Sequence, residues 1–135
     1  VEATVKALRD HPEASMATPV APLDDPADLE RPQVVKVVTD SKGRALYFSR
    51  AAIPFARDGG DPAFPCLRHV GLYAYRMDFL RAFVGLPEGK LERTENLEQL
   101  RALEAGYTIQ TALVRYRGLS IDTPEDYRRF LARCA

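Results

Sequence analysis

Residues 67–76, Leu-Arg-His-Val-Gly-Leu-Tyr-Ala-Tyr-Arg, alternate with a period of two, and that period constrains the chain more than any other feature. Val70, Leu72 and Ala74 fall on one side of an extended segment, and His69, Gly71, Tyr73 and Tyr75 on the other. One face is apolar. The opposite face carries an imidazole and two phenols around a glycine gap. A strand that serves only as packing has no use for such a row, because each buried polar tip needs a partner. The row suits a surface that reads a polar small molecule; the simpler alternative is a hairpin strand with a half-wet aromatic face.

The segments around it alternate between helical and extended patterns. Val1, Val5 and Leu8 share a helical face that ends at His11-Pro12. Met16 to Leu23 predicts a strand, pushed to a sheet edge by Pro19 and Pro22. Asp25 and Pro26 open a short helical turn over Ala27 to Leu29. The β-branched run Val34 to Val38, the turn Asp40-Ser41-Lys42-Gly43 and Ala45 to Ser49 predict a hairpin. Pro54 to Pro65 reads as a mobile surface loop. Met77 to Val84 predicts a helix burying Phe79, Leu80 and Phe83. Thr94 to Glu104 predicts another, ended by Gly106, with Leu97, Leu100 and Leu103 inward and Glu95, Glu98, Gln99 and Ala102 on the opposite, solvated side. Tyr107 to Val114 is extended, and Thr123-Pro124-Glu125-Asp126 opens a terminal helix with an N-cap threonine. Strands interleaved with helices predict an α/β fold with a mixed sheet.

The 135 residues are enough for one domain, or part of one, with a core of its own. Nineteen basic side chains balance nineteen acidic ones, so no net field draws the chain to nucleic acid or an anionic membrane. No apolar run approaches the length of a bilayer span. Cys66 and Cys134 lie far apart without zinc or disulfide spacing, which makes a cytosolic compartment the default. The start at Val1, already helical in pattern, suggests a fragment. No phosphate loop, dinucleotide fingerprint, nucleophile elbow or zinc-protease motif is present.

A few side chains could carry chemistry. Arg50, at the exit of the Ala45 to Ser49 strand, could clamp a carboxylate through two parallel hydrogen bonds; a solvated arginine fits the pattern equally well. His69 reads most simply as a core histidine bonded to a carbonyl, with ligand binding the sharper alternative. Tyr73 is more often packing than function, and Glu98 and Gln99 most simply belong to a solvated helix face. Asp122 precedes a helix start, where an acid favours the helix dipole. The same position, at the mouth of an α/β sheet, could also hold a divalent metal. Bottom-up, these residues support a half-site for a polyol or an acid and name no reaction.

Four blocks extend the argument: residues 45–54 (ALYFSRAAIP), 67–76 (LRHVGLYAYR), 95–101 (ENLEQLR) and 121–126 (IDTPED). In this order and spacing, with Val34 to Val38 before them, they resemble the C-terminal half of the 3-deoxy-D-manno-octulosonate (Kdo) cytidylyltransferases, or CMP-Kdo synthetases. The resemblance implies the mixed-sheet portion of a nucleotide-diphospho-sugar transferase fold. It implies a cytoplasmic, Mg²⁺-dependent homodimer of lipopolysaccharide synthesis that joins CTP and Kdo into CMP-Kdo and pyrophosphate. By position, Arg50, His69, Tyr73, Glu98 and Gln99 would line the Kdo pocket, Arg57 would reach the sugar or nucleotide, and Asp122 would hold magnesium as the chain's catalytic residue. A cation for the sugar's carboxylate and donors and acceptors for its hydroxyls are what such a ligand requires.

The family's opening segment, which wraps the triphosphate, and its second metal-binding aspartate are not among these residues. Its Gly-x-Gly before the Asp122 block appears as Gly118-Leu119-Ser120. The expectation is therefore that residues 1–135 form the sugar-binding half of the domain and, alone, make no CMP-Kdo. Two alternatives stand beside it: a cytidylyltransferase for another acid sugar, and a catalytically incomplete fragment that binds sugar or pairs subunits.

Overall fold

The computed structural model describes residues 1–59, 65–115, 127, 128 and 130–132. Its order is α1 (Glu2–Asp10), β1 (Met16–Pro22), β2 (Lys36–Thr39), β3 (Ala45–Ser49), β4 (Leu67–His69), β5 (Ala74–Tyr75), α2 (Met77–Val84), α3 (Lys90–Glu95), α4 (Gln99–Glu104) and β6 (Ile109–Leu113), with 3₁₀ turns at Pro26–Leu29 and Arg57–Gly59. The six strands form one mixed sheet, as the alternating pattern requires.

β1 is the spine of that sheet, contrary to the edge position its prolines suggest. It runs parallel to β6 (Met16↔Ile109 to Val20↔Leu113) and antiparallel to both β5 (Met16↔Tyr75, Ala17↔Ala74) and β4 (Val20↔His69 to Pro22↔Leu67). Pro19 is tolerated because no ladder partner faces it on that side. Between the two short strands, Thr18 and Pro19 face four residues, 70–73, which leave the sheet and return. The Pro19 carbonyl still accepts from the Val70 amide at 3.0 Å, and the missing N–H falls in the gap.

The same excursion corrects the single strand expected over residues 67–76. A tight turn, in which the Leu72 amide donates to the Val70 carbonyl at 2.6 Å, breaks it around an exposed Gly71. β2 continues the sheet by pairing with β4 and with β3.

Alternation along β1 sorts the core into two faces. Met16 and Val20 join the main cluster with Val37, Phe48, Phe79, Phe83, Leu97, Leu100 and Ile109, roofed by α2 and α4. Ala17 faces Leu8 and Ala14 under α1. Arg76 locks that second layer by donating to the carbonyls of Leu8 (2.7 Å) in the last turn of α1, His11 (3.1 Å) at its C-cap and Ala14 (2.8 Å) in the loop beyond.

The helix expected over residues 94–104 is in fact two. Asn96 takes the left-handed conformation (φ 52°, ψ 53°) and ends α3, and α4 restarts at Gln99. α4 then closes as the sequence predicts. Gly106 (φ 82°) donates to the Leu103 carbonyl and Tyr107 to the Ala102 carbonyl, both at 3.0 Å, a Schellman closure. Among the described residues no helix is long and apolar enough to cross a membrane.

Candidate functional site

The break at Asn96 builds the site. Ending a helix there strands the carbonyls of its last residues, and Arg50, at the exit of β3, collects them. Its Nε–H donates to the Glu95 carbonyl at 2.7 Å and its Nη2–H to the Asn96 carbonyl at 3.2 Å, while Nη1 reaches the Pro32 carbonyl at 2.9 Å. Three of the five guanidinium N–H donors are thus committed to backbone. What remains for a ligand is two donors and the full charge.

The Glu95 side chain completes the corner. It accepts from the Ser49 hydroxyl at 2.6 Å and from the Arg50 amide at 3.0 Å, with the Tyr47 hydroxyl at 3.5 Å. Burial works against its charge, but these hydrogen bonds and the Arg50 cation together hold its carboxyl below the ordinary carboxylate range. Under the corner lies Lys36, wholly buried, whose ammonium donates to the carbonyls of Val34 (2.7 Å), Arg31 (3.0 Å) and Arg50 (2.5 Å). Burial lowers its pKa.

Restarting at Gln99 turns the side that a continuous helix would expose to solvent. Gln99 is 4% exposed and Ala102 wholly buried, so the solvated face expected for them is overturned; Glu98 alone of that trio stays exposed. The Gln99 Nε2 amide is buried without a hydrogen-bond partner among the described residues. A buried, unsatisfied donor costs on the order of 1–3 kcal/mol unless something supplies an acceptor.

An aromatic ladder runs from Phe48 on β3 to α2. His69 meets Phe48 edge-on at 5.2 Å and Tyr73 at 5.4 Å, Tyr73 meets Tyr75 at 5.9 Å, and Tyr75 leans on Phe79 and Phe83. The alternation in residues 67–76 therefore places its polar face correctly even though the strand is broken. Burial pushes the Tyr73 and Tyr75 phenols up, and the nearby Glu98 charge adds to the shift in both, so these rings are neutral hydroxyls at any ordinary pH. Burial also lowers the His69 imidazole to about 4, so it too is neutral.

His69 Nε2 lies 2.8 Å from the hydroxyl of Thr18, which is wholly buried and itself 2.8 Å from the Leu72 carbonyl. Sequence reading passed over Thr18. The available signal was one hydroxyl on the core face of an otherwise apolar strand, between Met16 and Val20.

Five of the seven predicted residues are thereby linked. Arg50 bonds the backbone at positions 95 and 96, Glu98 and Gln99 follow directly, Glu98 acts on Tyr73, and Tyr73 packs on His69. Arg57 stands apart, 89% exposed, with Asp58 at 3.6 Å as its described partner. Asp122 and the helix start at Thr123 lie outside the described residues. Among the described residues no three His, Cys, Asp or Glu side chains converge to hold a metal ion. The linked groups offer a cation, a carboxylate, an amide donor, an imidazole acceptor and phenols on an aromatic floor. Such groups are of the kinds that a polyhydroxylated acid requires, and none of them is a nucleophile.

Comparison with known proteins shows the family. A family model described as cytidylyltransferase matches residues 1–109. A 3-deoxy-manno-octulosonate cytidylyltransferase of Anaeromyxobacter sp. is 53% identical over 135 residues, covering 100% of this chain and 54% of that protein. One from Solibacter usitatus is 49% identical, covering 96% and 51%. An 8-amino-3,8-dideoxy-manno-octulosonate cytidylyltransferase of Shewanella woodyi is 46% identical, covering 100% and 55%. A solved CMP:2-keto-3-deoxy-manno-octonic acid synthetase complexed with CTP superposes with a TM-score of 0.84 at 39% identity, covering 99% of this chain and 56% of that one. The chain spans about half the length of the relatives it matches.

Proposed function

Because this chain belongs to the cytidylyltransferase family, we propose that it is the sugar-binding part of a CMP-Kdo synthetase, and that the complete protein joins Kdo to CTP. In that reaction the anomeric hydroxyl of the acid sugar gives up its proton to solvent and its oxygen forms a bond to the α-phosphorus of CTP. The bond to the bridging β-phosphate oxygen breaks, and pyrophosphate leaves. The observation that carries the reading is the Gln99 amide, buried without a partner among the described residues, on the helix that restarts next to the Arg50-held corner and to Glu98, whose charge acts on Tyr73.

Each group has a part. The two uncommitted donors of Arg50 and its charge hold the sugar carboxylate. Gln99 donates to a sugar oxygen, Glu98 accepts from hydroxyls, and neutral His69 and Tyr73 bind hydroxyls without exchanging protons. Arg57 lies on the solvent side and contacts substrate only through a change in its own loop. Asp122 is the residue we assign to Mg²⁺, which when bound would neutralise charge on the phosphates. On this reading the protein works in the cytoplasm, where its nucleotide substrate is found, and pairs as the homodimer that the family resemblance implies.

The 46% identity to a protein named for the 8-amino sugar keeps a second substrate in view. Turnover of the complete protein with CTP and either Kdo or its 8-amino analogue decides between them. Pyrophosphate release with Kdo as the faster substrate supports the assignment. Faster release with the amino sugar reassigns it, and none with either overturns the activity.

A further inference from the structure

We propose that Thr18 is a positioning residue that fixes the tautomer of His69, making the ring a lone-pair acceptor toward its ligand. The Thr18 hydroxyl has a single hydrogen, and it stands 2.8 Å from the Leu72 carbonyl and 3.4 Å from that of Val70. Carbonyls only accept, so the hydroxyl hydrogen goes to Leu72. The 2.8 Å contact to His69 Nε2 must then run the other way, with Nε2–H donating to the Thr18 oxygen. The reverse arrangement would set two oxygen lone pairs against each other at the same distance.

Nδ1 is left bare, and it has no hydrogen-bond partner among the described residues. The relay is rigid because both ends are held. Thr18 is wholly buried on β1, the central strand, and Leu72 belongs to the turn that carries Tyr73. One hydroxyl thus sets the protonation of His69 and pins the turn delivering its aromatic neighbour. The consequence is selectivity: a bare Nδ1 accepts from a hydroxyl and repels a carboxylate oxygen. The sugar acid must therefore lie with a hydroxyl against His69 and its carboxylate elsewhere. This orientation rests on the reading of the site given above, whereas the tautomer does not.

Nitrogen-15 correlation spectra of the imidazoles in the complete protein test the relay without any substrate. His69 is expected as the Nε2–H tautomer in the unmodified protein and in Thr18→Ser, and as a mixture in Thr18→Val. An Nδ1–H tautomer in the unmodified protein overturns the relay even if Thr18→Val fails to fold. Kinetics test the positioning role. Thr18→Val should raise KM for the sugar acid about tenfold, with KM for CTP unchanged and recovery in Thr18→Ser. The expected tautomer with no change in sugar KM overturns the role of His69 in the site, and with it the positioning claim.

Discussion

At the residue scale, three buried or half-buried cations organise this protein by collecting backbone carbonyls. Arg50 holds the end of α3, Arg76 the end of α1, and Lys36 the base of β2 and the exit of β3. None was legible as such. Sequence pattern shows that an arginine follows a strand, but not that a helix will break forty-six positions later and leave carbonyls within its reach. Lys36 sits in a β-branched run where a charge reads as outward-facing, yet it is wholly buried. Lys36→Met would take the ammonium from the Val34 and Arg50 carbonyls, while the Arg31 carbonyl keeps the Val34 amide, and we expect it to destabilise the fold by about 2–4 kcal/mol in chemical denaturation.

His69 makes a second residue-scale prediction. Its folded pKa, about 4, lies below its unfolded value of 6.5. The unfolded chain therefore binds the extra proton first as pH falls, and stability declines from about pH 6.5 to about pH 4. The loss reaches about 3 kcal/mol at the lower end of that window. His69→Asn should flatten this part of the stability–pH curve. The carboxylates of Glu92 and Glu95, also held below their ordinary range, act at still lower pH.

At the element scale, the elements that the pattern defines are those whose periodicity is uninterrupted. β3 and α2 fall within the expected limits, and α1, β2 and β6 differ only at their ends. Two of the misreadings share one cause: a short break, residues 70–73 in one case and 96–98 in the other, inside a run whose composition keeps the period. Asn96 adopts a left-handed conformation inside a run that is helical by every other sign, and Gly71 sits in a turn inside a run that alternates. A left-handed residue costs a non-glycine side chain about 1–2 kcal/mol, less for asparagine. Asn96→Gly should therefore keep the midpoint of thermal unfolding, while Asn96→Ala should lose about 1 kcal/mol. If both are neutral, the break is imposed by Arg50 alone.

The candidate site followed the same logic. His69 and Tyr73 were placed by alternation, whereas Gln99 was assigned to a solvated face because the break preceding it is invisible to a helical wheel.

At the scale of the whole molecule, the sheet brings distant segments to one place. β1 pairs with three strands, the exit of β3 meets the α3–α4 corner, and the rings of residues 69–75 lie beside both. That convergence is a sugar-acid pocket only if its orphaned amide waits for a ligand. Gln99→Leu separates the two roles, because leucine fills nearly the same volume and removes the unsatisfied donor. In the complete protein we expect the unliganded variant to be as stable as the original or slightly more so. KM for Kdo should rise by a factor corresponding to about 1–3 kcal/mol, with KM for CTP unchanged. Lower stability together with equal losses for both substrates would contradict the account, because Gln99 would then be holding the fold and not the sugar.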